Sequence, residues 1–427
     1  MLGRLLKSLL RPWAPPARAA GDFAAAREAF QRQRYADVVA IHASREPGMP
    51  VPFEAALELG HSLQYLGRFE EAEPVYAQVL ASAGHAGLDS AARMRVALHR
   101  GLSRLRSGDL AGGQALLADA AALDPARDDA RRMAAFASVM AKDYPLDRAP
   151  LPPRSPPPST RAPASPLDIA YYFTAPPDAA AAGQYWRLFE ASVRSARACR
   201  PDARIVLLTD EHTVPPAGTG FDAVVRAALP RGELMANRFR AALAYLATLG
   251  ADARPRTAVL TESDCLLLRD PTSVIDGDAD LFLTARSNFV SEAEDLEPCN
   301  TGVMVLDCTR PQALRAFFEA CLGALAWMEE RDSVRVAYPR PIREWRGDQL
   351  AVGAVLGWRL FQSEVLRRRT DRLSIAGCRT CLLPTDPYNY APSDAEDRAA
   401  LEGKVVLHFK GGRKARLLSA DWLDPRG

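Results

Sequence analysis

Apolar residues follow a helical period through the first third of the chain and a strand period after it. Between residues 22 and 143 they recur every three or four positions, the spacing that forms one face of an α-helix, and strand signals are few. Beyond residue 166, short apolar runs alternate with amphipathic stretches, which predicts strands and helices in turn. The pattern predicts an all-α region followed by an α/β region.

The α/β region, residues 167–427, is predicted to fold around a doubly wound, mostly parallel sheet. Strands are predicted at 168–173 and 204–210 and helices at 185–198 and 234–249, before a further strand that ends at Glu262. The first strand is not followed by GxGxxG, and the chain has no GxxxxGK[ST]. The sequence therefore argues against a dinucleotide-binding oxidoreductase and a P-loop enzyme.

The helical region, residues 22–143, contains an internal repeat, and its segment 57–76 resembles a tetratricopeptide repeat (TPR). Small residues at Gly60, Gly67 and Ala72 are expected to let two helices approach closely, and the pattern returns at Gly101 and Gly113. The resemblance implies a TPR-like domain whose concave face binds a protein or peptide. The alternative is that these helices pack on the neighbouring domain or dimerise.

Two further segments differ in composition from the domains beside them. Residues 1–21 begin with a short basic amphipathic helix, which is expected either to lie at a membrane interface or to dock on the following domain. Residues 144–166 contain nine prolines and are predicted to form an extended linker.

Composition narrows the function classes further. A formal net charge of +2 provides no basic field for nucleic acid, so no nucleic-acid partner is expected. No apolar run approaches the length that spans a bilayer. Seven widely spread cysteines without a plausible signal peptide indicate buried free thiols in the cytoplasm, and the Cys378 and Cys381 pair is interpreted as incidental.

Two carboxylates stand one residue apart where an apolar strand ends, in the segment 259–268. Ligands of open α/β sheets bind outside the carboxyl ends of the strands. Glu262 and Asp264 are therefore expected to hold a divalent cation that faces a phosphorylated substrate.

Three later segments carry polar groups that suit the same substrate. Asn300, Thr301 and Gly302 open a predicted strand, where polar groups can meet sugar hydroxyls. Asp348 and Gln349 stand at a predicted helix start, and the bland alternative for Asp348 is an N-terminal cap.

The third of these segments, 405–414, places a histidine on a predicted strand, and glycines and basic residues follow it. Joined to the two carboxylates, the imidazole of His408 would suit Mn²⁺. Gly411 allows close backbone approach, and Lys414 supplies charge that can neutralise a diphosphate.

Taken in order, these blocks resemble the GT-A nucleotide-sugar glycosyltransferases, most closely the family 8 type. That family has a DxD motif after a strand, an NTG or NSG block, a DQ pair and a C-terminal HxxGxxK segment, and the resemblance covers about residues 167 to 418. It implies a Rossmann-like GT-A fold. Carried over by position, it implies metal ligands at Glu262, Asp264 and His408, catalytic residues at Asp348 and Gln349, and donor-binding residues at Asn300, Thr301, Gly302, Gly411 and Lys414, with Arg238, Thr209 and Asp210 added by looser likeness.

The resemblance implies transfer of a hexosyl unit from a nucleotide-diphosphate sugar, with UDP as the expected carrier, assisted by Mn²⁺ or Mg²⁺ and with retention at the anomeric carbon. The expected acceptor is a glycan such as a cell-surface polysaccharide, a lipid-linked glycan or a protein, and the expected location is the cytoplasm, with peripheral contact at the inner face of the membrane. The first acid is Glu262 where the family has aspartate, and Ala415 follows Lys414 where the family usually has proline. The alternative is a TPR scaffold whose GT-A domain keeps the fold without catalysis.

Overall fold

The computed structural model describes residues 23–32, 34–44, 51–81, 88–152, 166–249, 256–275, 278–285, 299–338, 340–365, 370–392 and 401–418. The predicted N-terminal amphipathic segment and residues 153–165 of the predicted linker lie outside these ranges. The chain divides into two compact units, with the boundary after Ala137. This boundary falls six residues before the predicted end of the helical domain.

The first unit is built from helices, as its apolar period predicts. The described helices are α1 Ala24–Gln31, α2 Tyr35–Ala43, α3 Phe53–Tyr65, α4 Phe69–Ala81, α5 Ser90–Arg106, α6 Leu110–Leu123 and α7 Asp128–Met140, the last of which crosses the unit boundary. From α1 to α6, successive helices pack on one another, and Leu63, Phe69 and Tyr76 are buried between them.

Glycines in this unit act in two ways. A Cβ at Gly60 would lie 2.6 Å from the ring of Tyr76, and one at Gly113 would lie 2.7 Å from Leu105, so both glycines permit close helix packing. Gly67 differs from the expectation, because its φ of 71° places it in the turn that follows α3 and not in a packing seam. The TPR assignment and a binding role for this unit stay predictions.

The second unit has the predicted α/β class, which is confirmed. Its strands are β1 Arg148–Pro150, β2 Leu167–Tyr172, β3 Arg204–Thr209, β4 Ala223–Arg226, β5 Thr257–Thr261, β6 Cys265–Leu267, β7 Leu281–Ala285, β8 Cys299–Asp307, β9 Arg372–Ile375, β10 Cys378–Pro384 and β11 Val406–His408. Its helices are α8 Ala179–Cys199, α9 Leu234–Ala247, α10 Pro311–Glu329, α11 Asp332–Ala337, α12 Gly347–Leu356, α13 Trp358–Leu360, α14 Thr385–Tyr388 and α15 Lys414–Leu417. No helix among the described residues is long and apolar enough to cross a membrane.

Nine strands form one sheet in the order β1-β9-β10-β7-β8-β5-β2-β3-β4. The pairs β5-β2, β2-β3, β3-β4 and β7-β10 are parallel, as the alternation of strands and helices predicts. The sheet is nevertheless mixed, because β8 runs antiparallel to both of its neighbours, β5 and β7. The first residues of β8 consequently lie beside the last residues of β5, at the edge where the acidic pair follows.

Residues 148–150 depart from the predicted linker. They form an edge strand antiparallel to β9, and the Arg148 side chain donates hydrogen bonds to the carbonyls of Val355, at 2.6 Å, and Ala354, at 2.9 Å. A sheet edge tolerates Pro150, because a missing N–H there removes no interior ladder bond. This part of the proline-rich segment therefore belongs to the α/β unit.

A second sheet has two strands only, β6 and β11, which pair antiparallel with His408 opposite Cys265. Its apolar residues are buried, among them Leu266 and Leu407. The pairing carries a residue from near the end of the described chain to the turn that follows β5.

Candidate functional site

The acidic pair lies in the tight turn between β5 and β6. The Asp264 side chain is buried, with 4% of its surface exposed, whereas 30% of Glu262 is exposed. Asp264 also accepts a hydrogen bond through its backbone carbonyl from Phe409 N, at 2.9 Å, which ties the turn to the residue after β11. One carboxylate is therefore fixed inside the protein, and the other reaches solvent.

Two side chains from the C-terminal segment meet these carboxylates. His408 Nε2 lies 3.1 Å from Glu262 Oε2 and 3.5 Å from Asp264 Oδ1, and Lys414 Nζ lies 3.0 Å from Asp264 Oδ2. Burial lowers the pKa of His408 to about 3, although Asp264 opposes this shift. Burial also disfavours the charge on Lys414, but the nearby Asp264 carboxylate outweighs it and raises the lysine pKa. The imidazole is neutral and the lysine charged.

Arg238, from α9, connects the acidic pair to Asp348. Its guanidinium forms ion pairs with Glu262 Oε1 and with Asp348 Oδ2, and Nη1 also donates to Thr301 Oγ1 at 2.8 Å. Only 9% of the arginine side chain is exposed. Because the buried Arg238 pairs with both carboxylates, Glu262 and Asp348 belong to one ion-pair network.

Asp348 does not cap its helix. It is the second residue of α12, and its Oδ2 accepts hydrogen bonds from Arg238 and from the hydroxyl of Thr301. Its other oxygen, Oδ1, is buried and has no hydrogen-bond partner among the described residues. The cap interpretation is therefore replaced by a buried carboxylate with one oxygen uncommitted. Gln349 follows in the helix and is half-buried.

The NTG block, at the start of β8, organises the interior of the site. The side-chain oxygen of Asn300 accepts from Gly302 N at 3.1 Å, and Thr301 lies between Arg238 and Asp348 as described. Gly302 packs against the imidazole, because a Cβ there would lie 2.4 Å from His408 Cε1. Only glycine leaves the ring its position.

Three other residues that were predicted to bind the donor, Thr209, Asp210 and Gly411, have different surroundings. Thr209 ends β3, is fully buried, and its hydroxyl has no partner among the described residues. The Asp210 carboxylate accepts from the backbone N–H of Thr213 at 2.6 Å, which forms a local turn. Gly411 has a φ of 60°, which a residue with a side chain rarely adopts, and no neighbour crowds its Cβ position. No described contact joins these three to the acidic network.

The carboxylates and His408 fit a divalent cation. Asp264 Oδ1 receives no hydrogen bond within the described chain, and a neutral imidazole can offer it no attraction unless Nε2 carries a hydrogen. Oxygen and nitrogen atoms that share one octahedral ion at about 2.1 Å lie about 3 Å apart, close to the 3.1 Å between His408 Nε2 and Glu262 Oε2. Arg238 holds only Oε1 of Glu262, which leaves Oε2 toward His408.

Sequence reasoning missed Cys265, whose sulfur lies within 4.8 Å of ligand atoms of Asp264 and His408. The thiol donates to the carbonyl of Gly302 at 3.7 Å, and burial, reinforced by Asp264, raises its pKa far above the ordinary value. A thiol that stays protonated is a poor metal ligand. All seven cysteines are free, and all but Cys199 are buried, as the sequence predicts.

No protein-family profile matches this chain, and no curated protein matches it. Among solved structures it is similar to an active-site mutant of LgtC, at 14% identity over 57% of this chain and 87% of that one, with a TM-score of 0.33. It is similar to a glycosyltransferase involved in glycosylating the major capsid of PBCV-1, at 12% identity over 59% and 97%, with a TM-score of 0.33. It is also similar to the apo glycosyltransferase GlyE of Streptococcus pneumoniae, at 15% identity over 61% of each chain, with a TM-score of 0.34. At such identities and TM-scores these likenesses carry no argument, and the assignment of function rests on the site.

Proposed function

We propose that this chain is a glycosyltransferase that moves a hexosyl unit from a nucleotide-diphosphate sugar to an acceptor with the help of a divalent cation. The supporting observation is that Asp264, His408, Lys414, Arg238 and Asp348 meet at one edge of the sheet, although they come from four separate segments of the chain. Acids and an imidazole for a cation, a lysine for phosphate and an uncommitted buried carboxylate are the groups that this transfer needs.

The charge of the site suits a metal-bound diphosphate. The carboxylates of Glu262, Asp264 and Asp348 form ion pairs with two cationic side chains, Arg238 and Lys414, and these five groups together have a formal net charge of −1. Glu262, Asp264 and His408 would hold Mn²⁺ or Mg²⁺, and the bound cation would neutralise charge that develops on the departing diphosphate. Lys414 would bind a diphosphate oxygen.

Asp348 and Gln349 are proposed to act at the reacting carbon. Asp348 is held by Arg238 and Thr301 through one oxygen, so its second oxygen keeps a fixed direction without a partner of its own. A fixed anionic oxygen stabilises positive charge that develops on the sugar ring. Retention of the anomeric configuration and a UDP carrier are parts of this proposal. Asn300, Thr301, Gly302, Gly411, Thr209 and Asp210 are proposed to line the donor site.

The acceptor is proposed to be a glycan, a lipid-linked glycan or a protein, and the helical unit is proposed to bind a protein partner through its TPR-like repeats. A cytoplasmic location with peripheral contact at the inner membrane face completes the proposal. These parts are supported by the sequence resemblance and by the helical unit, whose first six described helices pack in chain order.

A second candidate function is a scaffold whose α/β unit no longer catalyses transfer. The ion pair between Arg238 and Glu262 favours it, because it commits one oxygen of the acid that differs from the family motif. The uncommitted oxygens of Asp264 and Asp348 favour the enzyme. Binding and turnover measurements separate the two candidates.

The first test is a thermal-shift panel of uridine, guanosine, cytidine and thymidine diphosphates, each with and without Mn²⁺, on the wild type and on His408→Ala. A ligand that binds only the folded state raises the midpoint of unfolding. We expect one nucleotide to raise it in the wild type with Mn²⁺ and to lose most of this effect in His408→Ala. No shift with any nucleotide would favour the scaffold.

The second test is the turnover of Asp348→Asn. Loss of the anionic oxygen is expected to reduce turnover by about 10²-fold or more, since removal of one group that stabilises transition-state charge has this scale. Asp332→Asn is the matched control, because the Asp332 side chain is 93% exposed. Hydrolysis and transfer of a radiolabelled sugar nucleotide are measured, and equal turnover of the two variants would disprove the role of Asp348.

A further inference from the structure

Asn389 is a buried residue that the sequence analysis did not single out, and its amide lies directly behind the imidazole of the proposed metal site. It is 2% exposed and follows α14. Asn389 Oδ1 lies 2.9 Å from His408 Nδ1, and Nδ2 lies 2.8 Å from Thr284 Oγ1 and 3.2 Å from the backbone carbonyl of Asn300. The residue thus joins β7, β8 and β11 at one point.

The partners of the amide determine which way it faces. The carbonyl of Asn300 can only accept a hydrogen bond, and Thr284 donates its single hydroxyl hydrogen to that same carbonyl at 2.7 Å. Both groups therefore require a donor from Asn389, and only its NH₂ group provides one. The amide oxygen must then face His408.

The direction of the amide in turn determines the hydrogen on the ring. An amide oxygen only accepts, so the Nδ1 of His408 must carry the hydrogen that lies between them. In a neutral ring this leaves Nε2 with a lone pair, directed at Glu262 Oε2 and Asp264 Oδ1. Three negative or electron-rich atoms then face one another, which is favourable only when a cation lies between them.

We propose that Asn389 is a positioning residue that fixes the hydrogen of His408 on Nδ1, so that Nε2 is available to a cation shared with Glu262 and Asp264. The chain of hydrogen bonds begins at the Asn300 carbonyl and ends at the ring. Its purpose rests on the proposed function, but the hydrogen-bond order itself does not. Without Asn389, a hydrogen on Nε2 would be attracted to the two carboxylates and would block the metal.

The direct experiment observes the tautomer in metal-free protein. Long-range ¹H–¹⁵N correlation spectra of protein labelled with ¹⁵N-histidine show which ring nitrogen carries hydrogen, and a His408→Gln sample assigns the signal. We expect Nδ1–H in the wild type and in Asn389→Asp, since a carboxylate also only accepts. We expect Nε2–H in Asn389→Leu. A wild-type ring that carries hydrogen on Nε2 and none on Nδ1 would overturn the proposal, and so would the loss of Nδ1–H in Asn389→Asp.

The second experiment measures Mn²⁺ affinity by electron paramagnetic resonance, with Thr284→Val as the control. That control removes a buried hydrogen bond of the same cluster but leaves Asn389 donating to Asn300. Removal of an outer partner of a ligating histidine lowers metal affinity by about 10- to 100-fold, so we expect this loss in Asn389→Leu and an unchanged affinity in Thr284→Val. Equal affinities in the wild type and Asn389→Leu would overturn the proposal. A wild type with Nδ1–H that binds no Mn²⁺ would refute the proposed function and confirm the hydrogen-bond order.

Discussion

Replacement of Gly302 by alanine tests whether the imidazole of His408 can occupy its position only when residue 302 has no side chain. The added Cβ would lie 2.4 Å from His408 Cε1 and 2.6 Å from Nδ1. Non-bonded carbon atoms are ordinarily about 3.5 Å apart, so the ring or the strand must move by about 1 Å. The ring is 5% exposed and bonded to Asn389, and it has little space in which to move.

Two magnitudes follow from this displacement. Overpacking of a buried site costs about 1 to 3 kcal/mol of the free energy of unfolding. A misplacement of about 1 Å in a reacting group costs about 10²-fold in rate, so turnover is expected to fall by that factor and Mn²⁺ affinity with it.

Gly183→Ala is the matched control. Gly183 lies in α8, and apart from its chain neighbours and the backbone of its own helix, no described atom is within 4 Å of the position that a Cβ would occupy. Alanine in a helix interior is more favourable than glycine by about 1 kcal/mol, so this variant is expected to gain stability. For both variants, the urea concentration at the midpoint of unfolding is measured, and in a separate experiment the folded protein is titrated with Mn²⁺. If Gly302→Ala unfolds at the same urea concentration as the wild type and binds Mn²⁺ equally well, the packing argument is refuted.

Two more predictions concern other charged and titratable groups. Lys414→Met is expected to weaken nucleoside-diphosphate binding by about 10- to 100-fold, since a charge-assisted hydrogen bond contributes about 1.5 to 3 kcal/mol. Calorimetry with Lys404→Met as control measures this, because Lys404 pairs with Asp386 and not with a carboxylate of the site, and an equal loss in both variants would contradict it. In the helical unit, burial lowers the pKa of His61 from 6.5 to about 4. The unfolded chain therefore takes up a proton at this histidine that the folded one rejects, and His61 alone should lower the free energy of unfolding by about 3 kcal/mol as the pH drops from 6.5 to 4. Urea unfolding across this range tests it, and an unchanged pH slope in His61→Leu would refute the assignment.

Four of the residues that meet in the site were predictable because each lies at the start of a strand, at its end or just after it. Glu262 and Asp264 follow β5, Asn300 opens β8, and His408 ends β11. Polar residues at such positions interrupt apolar runs, and the interruption is visible in the sequence. The order of these residues along the chain matches that of the family motifs, and the resemblance supplied their expected roles.

The connections between these residues were not predictable to the same degree. Arg238 and Asp348 form an ion pair across 110 positions of sequence, and nothing local to either residue indicates the other. The proposed role of Asn389 depends on its contact with His408, and its position just after a short helix gives no local signal of that contact. That it is a buried amide beside His408 could have been inferred only from the tertiary contacts.

The antiparallel direction of β8 could not be predicted from the sequence either. Buried parallel and antiparallel strands share the same apolar run, and only the pairing distinguishes them. The edge strand at 148–150 was predicted to be linker because it lies in a proline-rich segment. Prolines suggest a linker, but they are also tolerated at a sheet edge. Asp348 was compatible with a cap because its helix starts at Gly347, one residue earlier.

The small sheet of β6 and β11 affects how the protein is made. β6 ends at Leu267 and β11 starts at Val406, so the ribosome must add well over a hundred residues before the two strands can pair. Until then the turn that follows β5 carries two carboxylates without the histidine or lysine that later contact them. The nascent chain therefore contains every strand of its large sheet before it contains the complete proposed metal site, and a truncation between β10 and β11 is expected to keep that sheet but not the residues proposed to bind the donor.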